Sequence, residues 1–352
     1  MLPSSELESL VEAPFRFTFP FTMLESMPVT PPEFRLGIDL GGTKIEIIAL
    51  DSAGNELLRQ RVPTPQGDYL NTVNTIAALV KSAENTLGKK GSVGVGFPGA
   101  ESSINGCIKN ANSTCLNGKP LRHDLQTLLQ REIRMENDAN CLALSEAVDG
   151  AGSGAQTVFA VILGTGVGGG IVVNGQLLTG ANHIAGEWGH NPLPYPHEEN
   201  QPPPVCYCGR QGCMETWLSG PGVVADHARH TGMTLDVPAI ARCAEQGDRD
   251  CEATLQRYER RLAKSLAQVL NILDPEIVVL GGGLSNLLRL YENVPRLWAC
   301  YVFSDKVRTR LCRNQHGDSS GVRGAAWLWD MAGHQHRSPH SSYLLNHERS
   351  RK

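Results

Sequence analysis

One local pattern occurs twice in this 352-residue chain: a short apolar strand, a glycine-rich turn and a second apolar strand. The first copy spans residues 36–49 around the turn DLGGTK, and the second spans residues 157–173 around GTGVGGG. Glycines let backbone N–H groups converge on an anion, because no Cβ blocks its approach. Two such turns, one in each half of the chain, predict two α/β lobes that could clamp a nucleotide by its phosphates.

Hydrophobic periodicity predicts the elements around these turns. The first half indicates a meander of three strands, then a helix and a fourth strand, at residues 35–40, 45–49, 56–62, 69–87 and 92–97. The second half indicates three strands, a long amphipathic helix and a buried strand, at residues 157–163, 171–173, 176–178, 255–273 and 277–280. The order in the first half resembles the opening of an actin-like lobe.

Composition excludes several classes of function. The formal net charge is −4 and no basic block interleaves with aromatic residues, so a nucleic-acid partner is not expected. No apolar run approaches the roughly 20 residues that span a bilayer. The first residues are acidic and lack an apolar segment, so they do not resemble a signal peptide. Ten cysteines without an export signal favour reduced thiols or a metal site, and we expect a cytoplasmic protein with no membrane partner.

The first glycine turn carries side chains suited to phosphates. Thr43 can add a hydroxyl donor and Lys44 a charge, while Asp39 can hold a hydrated Mg²⁺. Alone, the same turn could equally be a tight hairpin with its Asp and Lys in solvent. It matches neither GxxxxGK[ST] nor GxGxxG before a helix, which argues against P-loop and dinucleotide folds. The second glycine turn favours the phosphate-binding interpretation.

Asp138 lies in the segment ENDAN, between a short strand at 133–135 and a helix at 139–148. It could be an N-cap that satisfies free N–H groups, or a base that accepts the proton of an attacking hydroxyl. Helix N-termini favour an anion, so we expect Asp138 to be a weak base that stays ionised. Phosphoryl transfer tolerates this, since orienting the nucleophile matters more than strong basicity.

Three cysteines within eight residues, in CYCGRQGCME, predict a metal site. Cys206, Cys208 and Cys213 can combine with His190 upstream to give a tetrahedral Cys₃His set with no open position, which is the pattern of a structural Zn²⁺. Gly209 and Gly212 permit the tight fold that brings the sulfurs together. Free thiols on a loop are the alternative.

These motifs occur in the order found in the ROK family of sugar kinases and repressors, which the chain resembles over residues 35 to about 330. The resemblance rests on DLGGTK, ENDANC, GTGVGGG, the ExGH of Glu187–His190, CxCGxxGCxE and GVRGAAWL. Within that family NANSTCLNG, EWGHNPLP and HGDSSGVRGAAWLW resemble the bacterial fructokinases that also accept mannose.

The resemblance implies a fold, a reaction and roles for individual residues. The fold is two actin-like (RNase H-like) α/β lobes of the sugar kinase/Hsp70/actin superfamily. The reaction is ATP-dependent phosphorylation of a hexose at the C6 hydroxyl, with fructose as main and mannose as secondary substrate, Mg²⁺ on the phosphates and a homodimer as the assembly. Asp138 would be the general base, and zinc would hold the sugar-binding loop. The sugar would be bound by Asn112, Asn137, Asp138, Glu187, His190 and Glu215. ATP would be bound by Asp39, Gly41, Gly42, Thr43, Lys44, Gly164, Thr165, Gly166, Gly168 and, on the adenosine side, Gly281, Gly282 and Gly283.

The same resemblance sets the expected domains and leaves alternatives open. Residues 1–34 would be a leader that is disordered or precedes the true start, and residues 331–352 a disordered tail. The first lobe would span 35–148, completed by a helix at about 319–330, and the second 149–318. A glucokinase or an N-acetylglucosamine or N-acetylmannosamine kinase fits the motifs, as does a sugar sensor or repressor without catalysis. The Pro-rich segment 195–205 could cover the sugar pocket or form a subunit contact.

Overall fold

The computed structural model describes residues 33–111, 113–199 and 201–329. The expected tail, the expected leader up to residue 32 and the candidate sugar ligand Asn112 lie outside the described residues. The strands are β1 Phe34–Leu40, β2 Lys44–Asp51, β3 Glu56–Pro63, β4 Ser92–Phe97, β5 Ala100–Glu101, β6 Ile108–Lys109, β7 Arg134–Asn137, β8 Thr157–Leu163, β9 Val167–Val173, β10 Gln176–Leu177, β11 Ile277–Gly281 and β12 Arg310–Arg313.

The α-helices of the described residues are α1 Tyr69–Leu87, α2 Leu121–Leu129, α3 Asp138–Val148, α4 Glu215–Leu218, α5 Gly220–Thr231, α6 Val237–Glu245, α7 Arg249–Leu273, α8 Leu290–Trp298 and α9 Ser320–Trp327. Short 3₁₀ helices occur at Thr114–Leu116, Trp188–His190, Pro196–Glu199, Gly283–Asn286 and Gly317–Ser319. None of these helices is both long and apolar enough to cross a membrane.

The first sheet has five strands in the order β3-β2-β1-β4-β7. The first three strands form the antiparallel meander that the sequence predicts, and β4 and β7 run parallel to β1. The carboxyl ends of β1, β4 and β7 therefore meet at one edge. That edge carries Asp39, the turn after Phe97, and Asn137 with Asp138.

The second sheet has five strands in the order β10-β9-β8-β11-β12, with β8, β11 and β12 parallel. Its parallel strands bring the turn after Leu163 beside the turn after β11. The approach is close: a Cβ at Gly282, where φ is +80°, would lie 2.5 Å from the Leu163 carbonyl oxygen. Only glycine fits this position without strain.

Strand β9 begins at Val167, whereas the sequence predicts a turn as far as residue 170. Three glycines of the motif therefore lie inside a strand. Their small size is required by packing: a Cβ at Gly170 would lie 2.6 Å from the Ala139 carbonyl oxygen, and one at Gly169 would lie 2.8 Å from Trp188 Cδ1. Glycine composition alone cannot distinguish such close packing from a loop.

Helices α3 and α9 pack against each other and link the two sheets. Helix α3 contacts β8 and β9, while α9, at the far end of the chain, contacts β1 and β4. The two helices cross so closely that a Cβ at Gly324 would lie 1.7 Å from the Cys141 carbonyl oxygen. The residue that begins α3, Asp138, is thus fixed relative to both sheets.

The Pro-rich segment 195–205 packs on helix α7. Glu199 pairs with Arg261 at 2.6 Å and Glu198 pairs with Lys264, and both basic side chains are at most 4% exposed. Lys264 also lies 5.7 Å from the ring centre of Tyr195. These contacts hold the segment on the body of the protein, and none of its described residues (195–199 and 201–205) lines the cleft described next.

Candidate active site

A cleft of about 960 Å³ opens where the carboxyl edges of the two sheets meet. One side comes from the first sheet and the segment after β4, and the other from β9 and the cysteine-rich loop. The lining residues are Pro98, Gly99, Asn110, Ala111, Thr114, Asn117, Asn137, Asp138, Ile162, Thr165, Gly166, Val167, Gly168, Gly169, Glu187, His190, Tyr207, Cys208, Arg210 and Glu215. The structure thus brings together every described residue to which the sequence assigns a sugar-binding or catalytic role.

Asp138 is the first residue of α3, and Asn137 is the N-cap. The Ala139 N–H donates to Asn137 Oδ1 and to Asp138 Oδ1, each at 2.8 Å. Asn137 also donates through Nδ2 to the Gly99 carbonyl oxygen at 2.9 Å, which ties the start of α3 to the turn after β4. The amide of Asn137, predicted to bind sugar, is therefore largely occupied in holding Asp138.

The basicity of Asp138 differs from the sequence prediction. Burial raises its pKa to about 6; the Ala139 N–H opposes the rise and the charge of Glu187 adds to it. Desolvation of the carboxylate therefore outweighs the favourable helix N-terminus. The group is still mostly ionised at neutral pH, but it is a stronger base than the helix position alone indicates.

Asp39 lies close enough to Asp138 for the two charges to interact. Burial raises the pKa of Asp39 to about 7, with further increases from Asp138 and Glu46 and a decrease from Lys44. Two desolvated carboxylates that repel each other favour a cation nearby, and oxygen ligands of this type suit Mg²⁺. The donor set at this edge therefore fits the metal that the sequence predicts.

The first glycine turn lies beside the 960 Å³ cleft and does not contribute to its lining. It is held by backbone contacts: the Gly41 N–H donates to the Lys44 carbonyl oxygen at 3.0 Å, and Thr64 donates through Oγ1 to the Gly41 carbonyl oxygen at 2.7 Å. Gly42 and Thr43 are exposed, so the tip of the turn is open to a ligand.

The second glycine turn lines the cleft through Thr165, Gly166 and Gly168. Its first residue, Gly164, accepts a hydrogen bond from the Gly220 N–H at 2.7 Å, so the turn is braced by the start of α5. After β11, Gly282 and Gly283 are exposed, whereas Gly281 is buried. A Cβ at Gly281 would lie 2.9 Å from Leu142 Cδ2, which gives this glycine a packing role.

The four predicted metal ligands come together in the structure. The ligand atoms of His190, Cys206, Cys208 and Cys213 all lie within 4.8 Å of one another. Cys208 Sγ is 3.6 Å from Cys213 Sγ, and His190 Nδ1 is 3.7 Å from Cys206 Sγ. Zinc–sulfur bonds of about 2.3 Å and zinc–nitrogen bonds of about 2.0 Å require comparable spacings in a tetrahedral site. The donor set therefore fits Zn²⁺.

Glycines shape the loop around this site, as the sequence predicts. Gly209 and Gly212 have φ of +86° and +71°, values that favour glycine. The turn closes through the Cys206 N–H, which donates to the Arg210 carbonyl oxygen at 2.8 Å. The segment that carries His190 is fixed by Trp188, whose Nε1 donates to the Gly168 carbonyl oxygen at 3.0 Å.

The loop carries three predicted sugar ligands into the cleft. Glu215 Oε2 accepts a hydrogen bond from the Val167 N–H at 3.1 Å, which fixes that carboxylate against the second glycine turn. Glu187 is near enough to raise the pKa of Asp138. His190 Nε2, the ring nitrogen expected to point to the sugar, lies 3.0 Å from Tyr207 Oη.

Sequence reasoning missed several residues of the cleft. Tyr207 and Arg210 lie between the cysteines, and their proximity to the predicted ligands was the available signal. Asn110 and Asn117 come from the segment around position 112, and the Asn117 side chain holds the backbone of Ala111 through hydrogen bonds of 2.9 and 3.0 Å. Both asparagines belong to the segment NANSTCLNG, and their proximity to the predicted ligand Asn112 was the available signal.

Comparisons with known proteins agree with this geometry. The model of the ROK family matches residues 35–332. An N-acetyl-D-glucosamine kinase of Vibrio cholerae is 41% identical over 296 residues, which cover 83% of this chain and 98% of that enzyme. A ROK hexokinase of Thermus thermophilus superposes with a TM-score of 0.74 at 30% identity, over 83% of this chain and 96% of that one. A ROK glucokinase of Streptomyces griseus, solved with glucose and AMPPNP, superposes with a TM-score of 0.69 at 28% identity. The superposition covers 84% of this chain and 98% of that one.

Proposed function

The chain belongs to the ROK family, in its sugar kinase fold of the actin-like superfamily, and we propose that it transfers the γ-phosphoryl group of ATP to the C6 hydroxyl of a free hexose. The observation that carries the proposal is the placement of Asp138. Its buried carboxylate begins α3 in a cleft lined by both sheets, opposite the carboxylates of Glu187 and Glu215. A repressor or a sensor without catalysis would not require a base of raised pKa at this position.

Each residue then has a defined task. Glu187, His190 and Glu215 bind the ring hydroxyls and orient the sugar. Asp138 takes the proton from the C6 hydroxyl as that oxygen bonds to the γ-phosphorus, the bond from the γ-phosphorus to the bridging oxygen breaks, and ADP leaves. The two glycine turns bind the phosphates through backbone N–H groups. Asp39 would hold Mg²⁺, which would supply positive charge to neutralise the phosphates.

We propose that the Cys₃His set holds a structural Zn²⁺. His190, Cys206, Cys208 and Cys213 would supply four protein ligands, which is a full set for this ion and would leave no position for substrate. Its role is to fix the loop that carries Glu187, His190 and Glu215. We also propose the lobe boundaries 35–148, with α9, and 149–318, because α9 packs on the first sheet. The homodimer remains a prediction.

The proposed sugar is N-acetyl-D-glucosamine. It is the substrate named for curated relatives that are 40–41% identical over nearly their whole length. Those relatives do not support the fructokinase subtype expected from the sequence and favour its stated alternative. Fructose, with mannose as a weaker substrate, is the second candidate, because segments such as NANSTCLNG and HGDSSGVRGAAWLW resemble bacterial fructokinases.

The test is ADP release from Mg-ATP with N-acetylglucosamine, fructose, mannose, glucose and N-acetylmannosamine, each at several concentrations. The highest kcat/KM is expected with N-acetylglucosamine, and the Asp138→Asn variant is the control for contaminating kinases. A higher kcat/KM with fructose would replace the proposed sugar by the second candidate. No turnover with any of these sugars would contradict the kinase assignment.

A further inference from the structure

Glu46 is a buried carboxylate that the proposed reaction does not use. It lies in the middle of β2 and its side chain is 0% exposed. An ionised carboxylate is strongly disfavoured in a protein interior unless its oxygens are paired. The reason for its presence must therefore lie in the groups that it contacts.

Each oxygen of Glu46 accepts a hydrogen bond from a different arginine. Arg59 donates through Nε to Oε1 at 2.5 Å, and Arg61 donates through Nε to Oε2 at 2.7 Å. Lys44 Nζ lies 4.0 Å from Oε2. The carboxylate of Glu46 is thus surrounded by three positively charged side chains, near the end of β2 that follows the first glycine turn.

The contacts through Nε leave the outer nitrogens of both guanidinium groups open. Within the described part of the chain, the Nη atoms of Arg59 and Arg61 have no hydrogen-bond partner, and the two side chains are 32% and 41% exposed. The Nη groups are the ones that bind phosphate oxygens in a fork. Glu46 therefore orients two guanidinium groups with their phosphate-binding edges outward.

These cations lie in line with the proposed reaction centre. Asp39 pairs with Glu46 across β1 and β2, and Glu46 pairs with Arg61 across β2 and β3, so the three side chains form a row on one face of the sheet. The start of α9 reaches the Asp39 end of the row, where a Cβ at Gly321 would lie 3.6 Å from Asp39 Oδ2. The Arg61 end is open.

The row is also tied to the first glycine turn. Just beyond Arg61, Thr64 donates through its N–H to the Thr43 carbonyl oxygen at 3.0 Å and through Oγ1 to the Gly41 carbonyl oxygen at 2.7 Å. The end of β3 and the phosphate-binding turn therefore form one unit. An anion at the tip of that turn lies beside Lys44 and the open edge of the arginine pair.

We propose that Arg61, with Arg59 beside it, binds the terminal phosphates of the nucleoside triphosphate, and that Glu46 is the positioning residue that orients both guanidinium groups. The inference rests on the proposed function, because it names the phosphate tail of the donor as the ligand. The two arginines of β3 would add positive charge to a phosphate site that is otherwise formed by backbone N–H groups and Lys44.

Equilibrium binding of Mg-AMPPNP and of AMP, measured by calorimetry without sugar, tests the proposal. Arg61→Met removes the charge from a partly exposed side chain and is expected to weaken AMPPNP binding about tenfold, as for one charge-assisted contact. AMP binding should be unchanged, because AMP lacks the terminal phosphates. Arg61→Lys should fall between wild type and Arg61→Met, since it keeps the charge and loses the fork.

Two further variants test the role of Glu46. Glu46→Gln keeps the shape, leaves one oxygen acceptor for two arginines, and should lower the preference for AMPPNP over AMP at least threefold. Arg296→Met is the matched control, because Arg296 is 71% exposed on α8 and pairs only with Glu292 among the described residues. The control should bind both nucleotides like wild type.

Unchanged AMPPNP binding by a folded Arg61→Met protein would overturn the proposal. So would an equal loss of AMPPNP and AMP affinity, which indicates a structural role. The assay contains no sugar, so it separates this inference from the proposed function. A wild-type protein that prefers AMPPNP through Arg61 and phosphorylates no sugar would refute the kinase assignment and support the phosphate site.

Discussion

Replacing Asp138 with asparagine should abolish turnover and at the same time stabilise the fold. Burial holds the pKa of Asp138 at about 6 in the native protein, against 3.8 in an exposed carboxyl. The native state therefore binds more protons than the unfolded state between these two pH values. Wild-type stability falls as pH rises through this window, and the loss is complete above about pH 6.

The magnitude follows from the two pKa values. Relative to a group that is never charged, the carboxyl lowers the free energy of unfolding by about 3 kcal/mol at pH 7.5, and by about 1 kcal/mol at pH 4.5, where the native group is protonated and the unfolded group is mostly ionised. Asparagine avoids this cost, and its Oδ1 can still accept the hydrogen bond from the Ala139 N–H. The variant should therefore gain roughly 3 kcal/mol at the higher pH and roughly 1 kcal/mol at the lower one.

Urea unfolding of wild type and Asp138→Asn at both pH values measures the gain. The matched control is Asp149→Asn at the other end of α3. Although burial acts to raise it, the pKa of Asp149 is lowered by hydrogen bonds from His316 and Arg323. That group contributes stability above the pKa of the unfolded state, so its removal should destabilise the protein at pH 7.5.

Turnover is the second measurement on the same protein. Loss of a general base costs about 10²–10⁴ in rate, so kcat of Asp138→Asn should fall at least about 100-fold while AMPPNP binding persists. A near-normal rate would show that Asp138 is not the general base and has only a structural role at the start of α3. A variant that is destabilised equally at both pH values would refute the argument from burial.

Three further predictions concern the same cleft. The acid limb of kcat/KM for the sugar should lie near pH 6, where Asp138 becomes protonated; a rate independent of pH from 5 to 8 would exclude this base. Glu215→Gln should raise the sugar KM about tenfold and leave AMPPNP binding intact, because we propose that its carboxylate binds a sugar hydroxyl and a charged hydrogen bond would be lost; an effect on the nucleotide alone would contradict that role. Elemental analysis should find one zinc per chain, and Cys208→Ser should lose both the metal and sugar binding; a metal-free wild type that binds sugar would refute the structural zinc.

The fold was predictable where periodicity and glycine turns agree. The meander of β1–β3, the helix at Tyr69–Leu87 and the strand that ends at Gly281 lie where the pattern indicates, because their apolar residues are buried in the core at the expected spacing. The predicted start of β9 was wrong, because its glycines are required by close packing against Ala139 and Trp188 and not by a turn. Such contacts join residues that are distant in sequence.

Most residues of the site could be predicted from the sequence, whereas their pKa values could not. The proposed zinc ligands and the carboxylates of the cleft are marked by spacing within short motifs. The pKa of Asp138 depends on its burial in the folded protein, and the loss of solvation outweighs the effect of the helix N-terminus. Glu46 and its arginines become a unit only through the pairing of β2 with β3, which hydropathy does not reveal.

The central claim is phosphoryl transfer to the C6 hydroxyl of a hexose, and the structure of the product tests it most directly. Wild-type protein is incubated with Mg-ATP and N-acetylglucosamine, with fructose in a parallel sample, and the products are assigned by two-dimensional ³¹P–¹H NMR. The 6-deoxy sugar serves as the control. We expect a phosphorus coupled to the C6 protons and no product from the 6-deoxy sugar. A phosphate on C1 or any other carbon, or a product from the 6-deoxy sugar, would contradict the role assigned to Asp138 and the cleft.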